Sequence, residues 1–167
     1  MPKHKFVNPD TIAKPVGYTH VVEPTLPGRI VFISGQLGLD AENKIVSGDF
    51  RAQAEQTFVN LKNALAAVGA DFSHVVKLNN YFTDISHIGV FREVRDRFVD
   101  TAAPPASTAV AISALARPGA LIEVEAIAVV PTKAVSQARS AAIALRRSKR
   151  EINAKTAAKA KRSQKRK

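Results

Sequence analysis

Positive charge is concentrated at one end of this sequence, and this limits where a compact domain can form. Residues 132–167 carry 13 Lys and Arg against a single acid, Glu151, whereas residues 1–131 carry 12 Lys and Arg against 13 Asp and Glu. The net charges of +12 and −1 sum to the +11 of the whole chain. We therefore predict one domain over residues 1–131 and a basic tail, rich in Ala, Lys and Arg, over residues 132–167. Such a tail favours a solvated helix or disorder.

Missing residue types and motifs exclude several kinds of site. The sequence has no Cys, so it forms no disulfide or thiolate site, which is typical of a reducing compartment. No apolar run approaches the ~18 residues of a membrane span, and no signal peptide is recognisable. The His residues lack metal-ligand spacing, and the segment 35–38 lacks the Lys or third Gly of nucleotide-binding loops. We expect a cytoplasmic protein with no membrane span, no metal and no organic cofactor.

Two segments have the apolar spacing of amphipathic helices. Asp49 offers an N-cap for the first helix and Gly69 is placed to end it. Its apolar stripe consists of Phe50, Ala54, Phe58, Leu61, Leu65 and Val68. The second stripe follows a cap at Asp84 or Ser86 and consists of Ile88, Phe91, Val94 and Phe98.

Short β-rich runs surround these helices. They cover residues 18–22, 29–34, 43–46, 75–82, 108–112 and 120–130. With the helices, the order is ββ(β)αβαββ. This order predicts an α+β fold in which two helices pack on one face of a mixed β-sheet.

The last strand has two unlike faces. Its even-numbered residues from Ile122 to Val130 are all apolar and suit burial beneath the helices. Its odd-numbered residues from Leu121 to Val129 combine large apolar side chains with Glu123 and Glu125. Such a face is awkward in a monomer and natural at a subunit interface, so the pattern predicts an oligomer.

Five segments, in this order, resemble the Rid/YjgF family of reactive-intermediate deaminases over about residues 12–131. They are Gly17-Tyr18, Val31-Phe-Ile-Ser-Gly-Gln36, residues 48–65, Val76-Lys77 with Phe82-Thr-Asp84, and Ile122-Glu-Val-Glu-Ala-Ile-Ala128. The resemblance implies a chorismate-mutase-like fold, a homotrimer, and small-molecule pockets in the clefts between subunits. It also implies hydrolysis of an imine or enamine to a carbonyl compound and ammonia, without a cofactor.

The resemblance also assigns site residues. In the family, an arginine of a Pro-Ala-Arg-Ser motif binds the substrate carboxylate, but this sequence reads Pro105-Ala-Ser-Thr108, which places Ser107 at the arginine position. Losing the charge-assisted bond costs about 1.5–3 kcal/mol, or roughly 10- to 150-fold in binding. The implied deaminase is therefore not of the standard 2-imino acid type. The other matching pocket positions are Tyr18, Ser34 and Gly35 for substrate and Glu123 and Ala109 for catalysis.

Several roles stay open at the level of sequence. Glu123 either positions water or pairs with Lys77 or an arginine of a neighbouring subunit, and Tyr18 either closes the pocket or fills strand packing. Arg92 falls where family members often carry a pocket asparagine, so it either replaces the missing charge or is a solvated helix residue. The alternatives to a deaminase are a non-catalytic ligand-binding or regulatory module, and an RNA-directed role as ribonuclease or translation inhibitor. In the last case, the 13 cations of residues 132–167 would bind nucleic acid or another polyanion.

Overall fold

The computed structural model of this chain describes residues 4–132. Its elements are β1 (Lys5–Val7), β2 (Val21–Glu23), β3 (Gly28–Leu37), α1 (Phe50–Ala67), β4 (Val75–Phe82), α2 (Ile88–Arg95), β5 (Ala106–Ala111) and β6 (Ile122–Pro131). Single 3₁₀ turns at Phe72–His74 and Ile85–His87 precede β4 and α2. The predicted α+β class is confirmed. The predicted basic tail lies outside the described residues from position 133 onwards.

Four strands form one mixed sheet in the order β3-β6-β4-β5. β4 runs antiparallel to β6 and parallel to β5, and its Asn80 is in register with Val124 on one side and Ala109 on the other. β1 and β2 form a separate antiparallel pair, in which Phe6 lies opposite Val22. Within the described chain, β3 and β5 are therefore the two edges of the main sheet.

Both helices cover the same face of this sheet, as the element order predicted. The buried cluster between them contains Phe58, Leu61, Leu65, Phe91, Val94, Leu78, Phe82, Ile122, Val124 and Ala126. Each large side chain buried here contributes about 1.5–3 kcal/mol of transfer free energy. The opposite face of the sheet is open in the single chain, where Ile30 is 59% and Phe32 77% exposed.

The long helix α1 is fixed at its start and to a distant turn. The Asp49 side chain accepts a hydrogen bond from Ala52 N at 2.8 Å, which confirms the predicted N-cap. Gln53, fully buried, donates from Nε2 to Ser47 O and Gly119 O at 2.7 and 2.9 Å, and its Oε1 accepts from Leu121 N at 2.9 Å. One amide side chain therefore connects α1 to the start of β6.

Some boundaries differ from the sequence-based expectation. β1 was not predicted, and β2 begins at Val21, so Tyr18 lies in the loop before it. The expected strand at 43–46 is reduced to a single bridge between Leu39 and Ile45. The reason is a turn in which Asn43 adopts a positive φ of 61°. Neither helix of residues 4–132 has the length and apolarity to cross a membrane.

Candidate functional site

Gly35 and Glu123 meet where β3 runs beside β6. A Cβ atom built on Gly35 would lie only 1.8 Å from Oε1 and 2.6 Å from Cδ of Glu123. The Glu123 carboxylate therefore occupies the space directly above the Gly35 backbone, where any larger residue would collide with it. Ser34 precedes Gly35 on the same strand, and its carbonyl oxygen accepts a hydrogen bond from Gln36 Nε2 at 3.0 Å. We call Ser34, Gly35 and Glu123 the carboxylate half-site.

The neighbours of Glu123 on the open face bond to other groups. Lys77 Nζ donates to Thr108 Oγ1 at 2.5 Å, and within residues 4–132 no ion pair to Glu123 is present. Glu125 accepts hydrogen bonds from Asn79 Nδ2 at 2.6 Å and from the Tyr81 hydroxyl at 3.1 Å. Desolvation and the bond to Glu125 raise the pKa of the Tyr81 hydroxyl. Glu125 is thus committed to its own strand neighbours, whereas the Glu123 carboxylate has no partner in the described chain.

Ser107 lies on the edge strand β5 and is half-buried. Its Oγ accepts a hydrogen bond from Asn80 Nδ2 at 2.9 Å, and the same nitrogen donates to Thr108 O at 2.7 Å. Asn80 belongs to the helix-covered face of β4 and is 1% exposed. Ala109 follows on β5, in register with Asn80. We call Tyr18, Ser107 and Ala109 the hydroxyl half-site.

Tyr18 lies in a loop whose next residue, Thr19, bonds to the segment just before β5. Thr19 donates from its backbone N to Pro105 O at 3.3 Å and from Oγ1 to Pro104 O at 2.6 Å. Gly17 has a φ of 73°, and a Cβ there would lie 2.6 Å from Nη2 of Arg95. The half-buried Tyr18 ring contacts His20 edge to face at 5.2 Å.

Helix α2 carries two arginines, Arg92 and Arg95, and only Arg92 was predicted from the sequence to be a site residue. Arg92 is half-buried and makes no side-chain hydrogen bond or ion pair within residues 4–132. Arg95, one turn later, is 4% exposed, and its Nε and Nη2 bond to Asp96 Oδ1 at 2.9 and 2.6 Å. Arg95 and Asn80 were missed because a buried arginine or asparagine gives no periodic signal in a sequence.

The two half-sites do not meet within one chain. Ser107 is in register with Leu78 and shares the helix-covered face of the sheet, whereas Glu123 lies on the open face. The strand β4 separates β5 from β6, and neighbouring strands are about 4.8 Å apart. One copy therefore places the two groups of candidate residues on opposite faces of its sheet.

A cleft of about 550 Å³ adjoins the carboxylate half-site and is lined by Gly35, Gln36, Gln56 and Asn60 among others. Its amides are largely occupied within the fold. Asn60 Nδ2 donates to Leu37 O and Leu39 O at 3.0 and 2.9 Å, and Gln56 Nε2 donates to Asn60 Oδ1 at 2.9 Å. The cleft includes neither Glu123 nor Ser107, so we place the site at the half-sites instead.

Comparison with known proteins identifies this architecture. The family model described as Endoribonuclease L-PSP matches residues 9–130. The chain belongs to the Rid/YjgF family. It is 43% identical over 127 residues to protein DfrA of Myxococcus xanthus, covering 75% of this chain and 95% of that protein.

Of two further Rid relatives, one has a solved structure and the other is named for an activity. A conserved Rid family protein from Yersinia pestis, YyfB, has a solved structure that matches with a TM-score of 0.68 and 32% identity. This match covers 76% of this chain and 98% of that one. A protein of Dermatophagoides farinae named 2-iminobutanoate/2-iminopropanoate deaminase is 30% identical over 132 residues, or 78% of this chain and 99% of its own.

Proposed function

We propose that this Rid family protein is a homotrimer that binds a small imine or enamine in the cleft between two copies and hydrolyses it. The observation that carries the proposal is the separation of the two half-sites. Glu123 lies over Gly35 and Ser107 lies on β5, and one chain keeps them on opposite faces of its sheet. A second copy would bring its own Ser107 to the first copy's Glu123.

The open sheet face supports the assembly. Ile30 and Phe32 project from β3 and are 59% and 77% exposed in the single chain. Burying a side chain of this size contributes about 1.5–3 kcal/mol, so covering both favours association. The open-face strand pattern predicted an oligomer from sequence for the same reason.

The proposed reaction is the addition of water to the C=N carbon, followed by cleavage of the C–N bond. Glu123 takes a proton from the attacking water and passes it to the nitrogen, which gives a tetrahedral carbinolamine; it then takes the hydroxyl proton and passes that to the nitrogen as the C–N bond breaks, so that ammonia leaves and the carbonyl compound remains. A backbone group of Ala109 and the Ser34–Gly35 backbone orient the substrate. Only water is consumed, and we propose no metal and no organic cofactor.

Ser107 sets the expected substrate range. A guanidinium at this position would hold a carboxylate with two parallel charge-assisted bonds, whereas a hydroxyl offers one neutral bond. We therefore propose slow turnover of the standard 2-imino acids. Arg92 has no ion-pair partner within residues 4–132, so a charge relocated to α2 is the alternative that substitution of Arg92 tests. A regulatory module that binds a ligand without catalysis is the alternative, and it predicts binding without ammonia release.

Subunit complementation tests the intersubunit site. Glu123→Gln removes the carboxylate, and Ser107→Asp removes the hydroxyl donor and places a negative charge in the other half-site, so each variant alone should lose imine hydrolysis. Refolding equal amounts together should restore about a quarter of wild-type activity, because random assembly places an intact half-site of each kind together in that fraction of sites.

The control is a refolded mixture of each variant with itself, which should stay inactive. Sedimentation should give a trimer for every sample. A monomer at micromolar concentration, or a mixture as inactive as the separate variants, would contradict the proposal. Binding of an imine analogue without ammonia release in the wild-type protein would instead favour the regulatory module.

For residues 132–167, we propose contact with a polyanion such as RNA. The support is the 13 cations and single acid in this segment. Affinity should fall by about 10³-fold or more between 50 and 200 mM salt if six or more phosphates are contacted. Filter binding with the full chain and with a chain ending at residue 131 checks this. Binding that persists in the shortened chain would place the contact in the domain.

We also propose a cytoplasmic location, which the absence of Cys from the sequence supports. Fractionation of cells that express the tagged full chain tests it. Recovery with an extracytoplasmic fraction would contradict it.

A further inference from the structure

The residue at the arginine position is held by a buried amide. Asn80 Nδ2 donates to Ser107 Oγ at 2.9 Å and to Thr108 O at 2.7 Å, and Asn80 is 1% exposed. The Thr108 carbonyl can only accept, so the group of Asn80 that faces it must be the NH₂. The same NH₂ faces Ser107 Oγ. This contact fixes the orientation of the amide.

A fixed amide also fixes the role of the Ser107 hydroxyl. A hydroxyl has one proton to donate and two lone pairs that accept. Because Asn80 donates to Ser107 Oγ, one lone pair is used and the proton cannot point toward Asn80. Within residues 4–132 the Ser107 hydroxyl has no other hydrogen-bond partner. Ser107 therefore presents a free donor at the exposed edge of β5.

Burying the Asn80 amide costs folding free energy. Its Oδ1 is buried without a hydrogen-bond partner in the described chain. An unpaired buried acceptor costs about 1–3 kcal/mol. The position is explained by what the amide does for Ser107 and Thr108 rather than by the core that surrounds it.

Neither arginine of α2 bonds to Ser107 within residues 4–132. The Arg95 guanidinium is paired with Asp96 at 2.6 Å and lies against Gly17. Arg92 is partly solvent-exposed, so water and salt screen its field. A carboxylate that enters beside Ser107 gains one hydrogen bond but loses the hydration of a full charge, whereas an uncharged acceptor gains a hydrogen bond at a much smaller desolvation cost.

We propose that Ser107 selects substrates with an uncharged hydrogen-bond acceptor, such as a carboxamide or ester, where the standard substrate has a carboxylate. This inference rests on the proposed function and names its substrate class: imines of 2-oxo amides or esters in preference to 2-imino acids. Hydrolysis follows the same balance as before, with water added and ammonia released.

Binding of two matched carbonyl products tests the selection. Pyruvamide and pyruvate differ only in the amide or carboxylate group, and titration calorimetry with the full chain compares them. The wild-type protein should bind pyruvamide more tightly. Ser107→Ala should weaken pyruvamide binding about 2- to 12-fold, the value of one neutral hydrogen bond, and should weaken pyruvate binding as well, because both ligands lose the Ser107 donor. Ser107→Arg should reverse the preference.

Thr108→Ala is the matched control, because its hydroxyl lies on the opposite face of the same strand and bonds to Lys77. It should keep the wild-type preference. The inference would be overturned if the wild type bound pyruvate more tightly than pyruvamide, or if Ser107→Ala bound pyruvamide as tightly as the wild type. Either result would leave the proposed function intact. A pyruvate preference that disappears in Arg92→Gln would show that the charge was relocated there. Failure of Ser107→Arg to bind either probe would overturn both proposals.

Discussion

The two half-sites are held by different kinds of contact. In the carboxylate half-site, the backbone of Gly35 lies directly beneath Glu123, and the pairing of β3 with β6 sets that distance. In the hydroxyl half-site, side chains do this work: Asn80 holds Ser107, and Thr19 holds the loop of Tyr18. The first contact leaves no room for a side chain at position 35 unless the Glu123 carboxylate moves, whereas a site held by side-chain hydrogen bonds can change its chemistry through one residue.

The largest effect is expected from Gly35→Ala. The new Cβ would lie 1.8 Å from Glu123 Oε1, so the carboxylate must move. Displacing a catalytic group by about 1 Å can cost about 100-fold in rate, and we expect a loss of that size in kcat for imine hydrolysis. The matched control is Gly48→Ala, because a Cβ there has no atom within 4 Å. Full activity of Gly35→Ala would show that Glu123 acts from elsewhere.

An intermediate gain is expected from Ser107→Arg. A guanidinium on β5 restores a charge-assisted bond to a carboxylate, so kcat/KM for 2-iminopropanoate should rise by roughly 10- to 150-fold. A coupled assay that generates the imine in place and follows ammonia measures this. No gain, in a variant that still forms the wild-type oligomer, would mean that the two half-sites lack a competent arrangement for catalysis.

The smallest effect is expected from Thr19→Val. The substitution keeps the side-chain shape and removes the 2.6 Å hydrogen bond from Oγ1 to Pro104 O, while the backbone bond to Pro105 remains. The free energy of unfolding should fall by about 1 kcal/mol, and KM should rise more than kcat falls because Tyr18 is held less firmly. Urea denaturation and steady-state kinetics check both. Exposed Thr101→Val, which should change neither, is the control.

The segments with a periodic pattern of apolar residues were predictable from the sequence. The stripe from Phe50 to Leu65 and the alternation from Ile122 to Ala128 have periods of about 3.6 and 2, and both are buried as expected. The two half-sites depend on register instead. That Gly35 lies against Glu123, and Asn80 against Ser107, follows from how β6 and β5 align with their neighbours, and no local pattern encodes that alignment.

Buried polar residues were also not predictable from the sequence pattern. Gln53 and Thr57 lie on the core side of α1, yet their residue types read as solvent-facing. The resemblance of the Pro105–Thr108 segment to a family motif located Ser107 without its partner Asn80. Position in a motif was readable from the sequence, whereas the hydrogen bond that gives the position its chemistry required coordinates.

The Gln53 side chain has a further consequence for how the protein opens. The Leu121 amide lies outside regular structure, just before β6, but it donates to a fully buried carbonyl oxygen on α1. Its hydrogen can exchange with solvent only when the contact between helix and turn is broken. The Leu121 amide should therefore exchange at the slow rate of the α1 core, although loop amides ordinarily exchange fast. We therefore expect the start of the strand that carries Glu123 to open together with α1.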